Sequence, residues 1–240
     1  MGRRIPVLLL CVLLLLLGCR AEDSAAWAPV TAEGYTAEQI CDYFAQIAFS
    51  SEYGGYRGSI CKWTDEIVCC VSGDYAEGEM AVLTDLAERL NAIPGFPGVR
   101  ITEAEEDAEK ANFTMQFVMQ GELRTLFGED AASSSGMSRF YWTKKGGEIV
   151  RAETGIAANI TPMNAKASVI CEEFLQALGL SCDSYDYPES IFYEGYNGAL
   201  RPAPIDWALL ELLYSESIPA GMPEADAMAQ VRLLLGLAEE

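Results

Sequence analysis

The chain has 240 residues, of which 36 are acidic, 16 basic and none histidine, for a net charge of −20. So anionic a chain repels phosphate backbones and anionic lipid, which argues against nucleic-acid binding and against a polybasic grip on a membrane. Without histidine, Ser-His-Asp and Cys-His catalysis are excluded.

The N-terminus reads MGRRIPVLLLCVLLLLLGCR, a basic head at Arg3 and Arg4 followed by an apolar run over 7–17. That run is shorter than the roughly 20 residues a spanning helix needs, and its flanks are those of a secretory signal. Leu16-Leu17-Gly18-Cys19 resembles a bacterial lipobox, which implies removal of residues 1–18 and a lipid on Cys19. The protein is then expected to be exported and held at the cell envelope by its acyl chains, without spanning the membrane. Loss of Arg3 and Arg4 with the signal leaves 14 basic residues against 36 acidic ones, a mature charge of −22. Residues 19–34, small, polar and containing proline, read as a tether. The remainder, 35–240, has neither repeat nor second linker and is expected to be one domain, with an N-terminal lobe to about residue 179 and a C-terminal lobe from about 180.

Thr36 and Gln39 form a capping-box pattern opening a helix over 36–49, with Ile40, Tyr43, Phe44 and Ile47 on one face. DEIVCCV (65–71) is an apolar run ended by Ser72-Gly73-Asp74 and reads as a buried strand. A helix follows over 77–92, stopped by Pro94-Gly95, and then a short strand at 99–102. NFTMQFVMQ alternates, placing Phe113, Met115, Phe117 and Met119 on one face. RFYWT and EIVRAE flank Lys144-Lys145-Gly146-Gly147 as a hairpin. Further helices are expected at 165–178, at 205–214 after Pro204 and at 223–235 from Pro223. Together these predict an α+β fold, a mixed twisted sheet carrying helices. Six cysteines lie beyond Cys19: Cys41, Cys61, Cys69, Cys70, Cys171 and Cys182. An exported protein permits disulfides among them, in any of about 15 pairings, while small buried thiols are an equally physical reading. Cys69 and Cys70, adjacent on a strand, point to opposite faces and are not expected to bond each other.

CEEFLQALGLSCDS (171–184) resembles the zinc helix of the metzincins, HExxHxxGxxH, with the metal ligands replaced. The register is set by Gly179. Glu172 then stands at the first ligand position, Glu173 at that of the catalytic carboxylate, Gln176 at the second ligand and Cys182 at the third. Ser190 to Tyr193 is similar to the turn beneath the metal, with Phe192 in place of methionine, and the resemblance covers about residues 65–214. It implies a metzincin-like domain with an "active-site" helix and a smaller helical C-terminal lobe. A closer likeness is carried by AFSSEYGG (48–55), CKWT (61–64), EEFLQALGL (172–180), SIFYE (190–194), LLELLY (209–214) and GMPEA (221–225). These resemble domain-of-unknown-function family 2927, whose members are exported and commonly carry an EExxQ helix; Cys182 departs from its usual asparagine.

Glu172, Gln176 and Cys182 mix a hard carboxylate, a neutral amide and a soft thiolate, a set that suits no common metal. A hydrogen bond between Glu172 and Gln176, one turn apart, would close the place of the ion instead. Glu173 without a polarised water is then a vestigial carboxylate, exposed or paired. No metal and no cofactor are expected, and the protein is expected to be a catalytically inactive domain with a binding or structural role. Its partners would be the membrane, through Cys19, and a peptide or envelope protein. The alternative is a hydrolase using Glu173 with an atypical metal.

Overall fold

The computed structural model describes residues 28–50, 55–103, 105–195 and 199–237. The signal segment 1–18, Cys19 and the first part of the tether lie outside them. Residues 28–34, at the end of the tether segment, lie against the last helix: the Val30 amide donates to the Leu234 carbonyl (2.9 Å) and Ala32 is buried.

The first helix, α1 (Ala37–Ala48), has the capping box its sequence announces: the Thr36 hydroxyl accepts from the Gln39 amide, and the Gln39 side chain accepts from Thr36. Its predicted apolar face is the buried one. A two-residue strand, β1 (Lys62–Trp63), precedes β2 (Ile67–Gly73), α2 (Glu77–Leu90) and β3 (Val99–Thr102). After a single helical turn, α3 (Glu105–Ala108), come β4 (Phe113–Val118) and α4 (Gln120–Phe127). Phe113, Met115 and Phe117 are buried as alternation requires, but Met119 is 53% exposed. The strand has already ended there, because Met119 caps α4 and its amide donates to the Glu122 carboxylate.

The hairpin β5 (Gly136–Trp142) and β6 (Glu148–Ala157) pairs antiparallel, with Gly147 at φ +65° in the turn. A Cβ at Gly147 would lie 2.3 Å from the Ile60 carbonyl oxygen, so glycine is required both by the turn and by the chain packed on it. The sheet runs β3–β2–β4–β6–β5, and all pairs but the last are parallel. Ile149 is paired with Trp142 on one side and with Trp63 on the other, so β1 extends the line that β4 takes up three residues later. The fold is α+β. Its last three helices are α5 (Met163–Gln176), α6 (Pro204–Leu213) and α7 (Glu224–Leu234). The main core joins both sides of residue 180, from Ile40 and Phe113 to Phe192 and Leu213.

All six cysteines are free thiols. Cys41, Cys61, Cys69 and Cys171 are buried, whereas Cys70 and Cys182 are half-buried. Cys69, in the core, and Cys70, on the other face, take the opposite orientations expected of strand neighbours. Of the two readings of these residues, the small buried apolar side chain is the one the packing favours for four of them.

Candidate functional site

Helix α5 is buried nearly all round from Ile170 to Leu180, so its polar residues are drawn under neighbouring elements instead of standing in solvent. Its C-terminal end leaves carbonyls without intrahelical partners, and three side chains from distant segments satisfy them. The Trp63 indole donates to the Ala177 carbonyl (3.0 Å), the Tyr214 hydroxyl to that of Leu178 (3.0 Å), and Arg57 Nη2 to that of Gly179 (3.3 Å). The Arg57 cation is also favoured by the negative end of the helix dipole. Gly179, at φ +117°, turns the chain back; a Cβ there would sit 2.1 Å from the Cys61 carbonyl oxygen. CKWT, ALGL and LLELLY therefore meet at one point and build one helix terminus.

Downstream of this turn the chain passes Cys182 and Asp183. The Gln176 amide donates to Asp183 Oδ1 (2.8 Å), so its partner is Asp183 in place of the expected Glu172. Two positions meet across the glycine turn although seven residues separate them, a pairing that helical spacing alone does not reveal. The Cys182 thiol faces the Asp183 carbonyl (3.6 Å). Glu173 is buried beneath β5: a Cβ on Gly136 would lie 2.6 Å from its Cγ. It is not the exposed carboxylate of the alternatives drawn from sequence. Ser138 ties the same strand to the helix, donating its hydroxyl to the Glu173 carbonyl (2.5 Å) and sharing a hydrogen bond with Thr154 (2.8 Å). Glu172 is half-buried and lines a hollow of about 200 Å³ with Glu173, Asp183 and Glu194. Among the described residues, no three His, Cys, Asp or Glu side chains are grouped so as to hold a metal ion.

A second polar cluster lies under SIFYE. Asp206 is fully buried and accepts from the Ser190 hydroxyl (2.5 Å), the Ile191 amide (2.9 Å) and the Ala203 amide (2.7 Å). Ser190 in turn accepts from the Tyr43 hydroxyl (2.7 Å) and the Phe192 amide (3.0 Å). Burial pushes the Asp206 carboxyl up to about 6, against its three donors, which pull it down. This cluster locks loop 184–195 to α1 and α6, and Ile191 and Phe192 fill the core above it.

The family model described as a protein of unknown function (DUF2927) matches residues 37–233. The chain belongs to this family. The DUF2927 match begins in α1 and ends in α7, so it contains the α5 terminus, the Asp206 cluster and the whole sheet. No curated protein matches the chain.

Sequence reasoning overlooked Arg57, Ser138, Asp183 and Ser190 as working residues. Each makes its contact across more than 15 residues or across a turn, and single polar residues outside a motif give no periodic signal.

Proposed function

We propose that this DUF2927 domain is a non-catalytic, metzincin-like scaffold, exported and anchored through Cys19, that holds an extended peptide along the outer edge of β5. The observation that carries the reading is the state of that strand. β5 pairs with β6 on one side, and among the described residues no strand takes its other side. An open strand edge is a template for another chain, which would gain main-chain hydrogen bonds along its length. Metzincins align an extended substrate beside an edge strand, and the resemblance of this chain to them supports the reading by analogy.

Two features support the absence of hydrolysis. Gln176, at the second ligand position, is bound to Asp183, and Glu173 is buried and packed under Gly136, on a hollow it shares with Glu172, Asp183 and Glu194 and, among the described residues, with no second ligand group turned towards it. The ligand chemistry of Glu172, Gln176 and Cys182 points the same way.

The test uses the full mature chain on an array of acetylated, amidated heptapeptides, with metal content and cleavage followed in parallel. Retention of extended peptides without cleavage, lost when a proline replaces Ser138, supports the proposal, because Ser138 belongs to a non-hydrogen-bonded pair with β6 and proline removes its outward-facing ladder donor. An array that retains none of them overturns peptide binding. Stoichiometric zinc with cleavage that Glu173→Gln abolishes overturns the inert scaffold. For the anchor, the expected outcome is loss of acylation and of membrane retention in Cys19→Ser.

A further inference from the structure

Along β5 from Met137 to Trp142 lies a cavity of about 250 Å³, walled by Phe127, Met137, Phe140 and Trp142 and bearing two guanidinium groups, Arg57 and Arg139. Acids outnumber bases 36 to 16 in this chain. Arg100, Lys110, Arg124, Arg151 and Lys166 each have a carboxylate partner. Arg57 and Arg139 have none among the described residues. Arg57 Nη1 donates to the Ser181 hydroxyl (2.6 Å), and Nη2 to the Ala48 (2.8 Å) and Gly179 carbonyls. Its guanidinium lies 5.4 Å from the Phe140 ring centroid. Arg139 donates to the Phe127 carbonyl (3.0 Å).

Every one of these acceptors is neutral. A guanidinium carries five donors, and Arg57 uses three bonds on its terminal nitrogens, while its Nε is buried without a hydrogen-bond partner. Burial disfavours its charged form, against the weak pull of the Cys61 and Cys182 sulfurs. The carbonyls and the negative end of the α5 dipole offset only part of the cost of desolvating this cation, and an anion reaching the cavity would offset more of it.

We infer that this cavity is the anchor pocket for an acidic side chain, Glu or Asp, of the extended peptide laid on β5, with Arg57 as the charge-pairing residue. The inference rests on the strand-addition reading above. The cavity takes residues from Met137 to Trp142, almost the whole strand, so a paired peptide lies over it lengthwise and side chains, not a chain end, point in. Phe140 and Trp142 flank the methylenes of such a side chain, and Gln176, which has one amide hydrogen beyond its bond to Asp183, also lines the cavity. Asp130 also lines the cavity, from an exposed position at the rim, and selects against acids outside the pocket proper.

The strand is electrostatically polar along its length. At its Gly136 end the hollow holds Glu172, Glu173, Asp183 and Glu194, where an incoming acid is repelled. The peptide's acidic residue is thus confined to the Phe140 end, and one register of the peptide on the strand is preferred.

The experiment compares matched acetylated, amidated Val/Thr heptapeptides carrying Glu or Gln at each position in turn, by calorimetric titration against the full mature chain. The expected result is about tenfold tighter binding of Glu than Gln at one position, as for other charge-assisted pairs. Arg57→Gln removes this preference, and Arg139→Gln lowers it about threefold. The Glu/Gln comparison needs no variant, so it stands even if Arg57→Gln fails to fold. Equal binding of Glu and Gln peptides overturns the pocket and leaves strand addition intact. A Gln heptapeptide with a free C-terminal carboxylate, titrated as a control, that binds as tightly as the Glu peptide overturns the side-chain assignment. Failure of every extended peptide overturns strand addition, and the pocket with it.

Discussion

Asp206 and the polar residues of α5 are both acidic or amide groups withdrawn from water, and they are handled in opposite ways. Around Asp206 three donors converge on one carboxylate, and the hydroxyl of Ser190 is itself held by Tyr43 and Phe192. Such a cluster is closed: every group is used internally, and its product is a fixed loop. Along α5 the Gln176–Asp183 bond stands between two hollows that open on β5, one lined by carboxylates and one by arginines. The lesson is that burial of polarity does not mark function here. What separates the two regions is whether the polar groups are enclosed in the core, as at Asp206, or line hollows that open on the strand.

The sharpest test of the shared frame is Gly179→Ala. A positive φ and a Cβ only 2.1 Å from the Cys61 oxygen leave no room, so the α5 terminus must move. A loss above about 4 kcal/mol, or no folded protein, is expected in urea denaturation. A loss below about 1 kcal/mol would mean the turn is not built around this contact.

The closed cluster is tested by pH. With a folded-state value of about 6 against an ordinary 3.8, Asp206 keeps its proton in the folded chain where the unfolded chain has already released it. Its stabilising contribution is complete below about pH 4 and is lost as pH rises through 6. The stability of the parent relative to Asp206→Asn should therefore fall between pH 4 and 6, by on the order of 2 kcal/mol. A parallel pair of curves refutes the titration of Asp206 in that window.

Next in size is Trp63→Phe, which leaves the Ala177 carbonyl without its indole donor while keeping an aromatic ring in the core. A cost of about 1–2 kcal/mol is expected from denaturation midpoints, that of a buried acceptor left unmade. A neutral result would show that the helix terminus does not depend on this cap.

How far this was legible from the chain differs between the same two regions. The helices with apolar faces, the alternating strand at Phe113 to Phe117 and the Lys144–Gly147 hairpin are local patterns, and local periodicity gives them directly. Helix α4 was missed because QGELRTLF is short and polar, and only Leu123 and Phe127 are buried by it. β1 was missed because two residues carry no period; Lys62 is held by the Leu213 and Ser215 carbonyls, which no sequence pattern announces. At the site, Gly179 was readable as a turn, whereas the partner of Gln176 was not, since helix spacing favours Glu172 and only the refolded chain brings Asp183 back. Arg57 carried no signal at all, standing alone among glycines and tyrosines.

The smallest effect, and the one closest to the proposed inertness, is the Gln176–Asp183 bond. It is charge-assisted but only partly buried, so solvent recovers much of what either truncation removes. A double-mutant cycle of Gln176→Ala and Asp183→Ala should give a coupling of about 1 kcal/mol, because each residue loses the same bond. If the two changes are additive instead, Gln176 is not held by Asp183 in solution. The second ligand position would then be free to turn outward, and the closed state of that helix face, on which the non-catalytic reading leans, would lose its support.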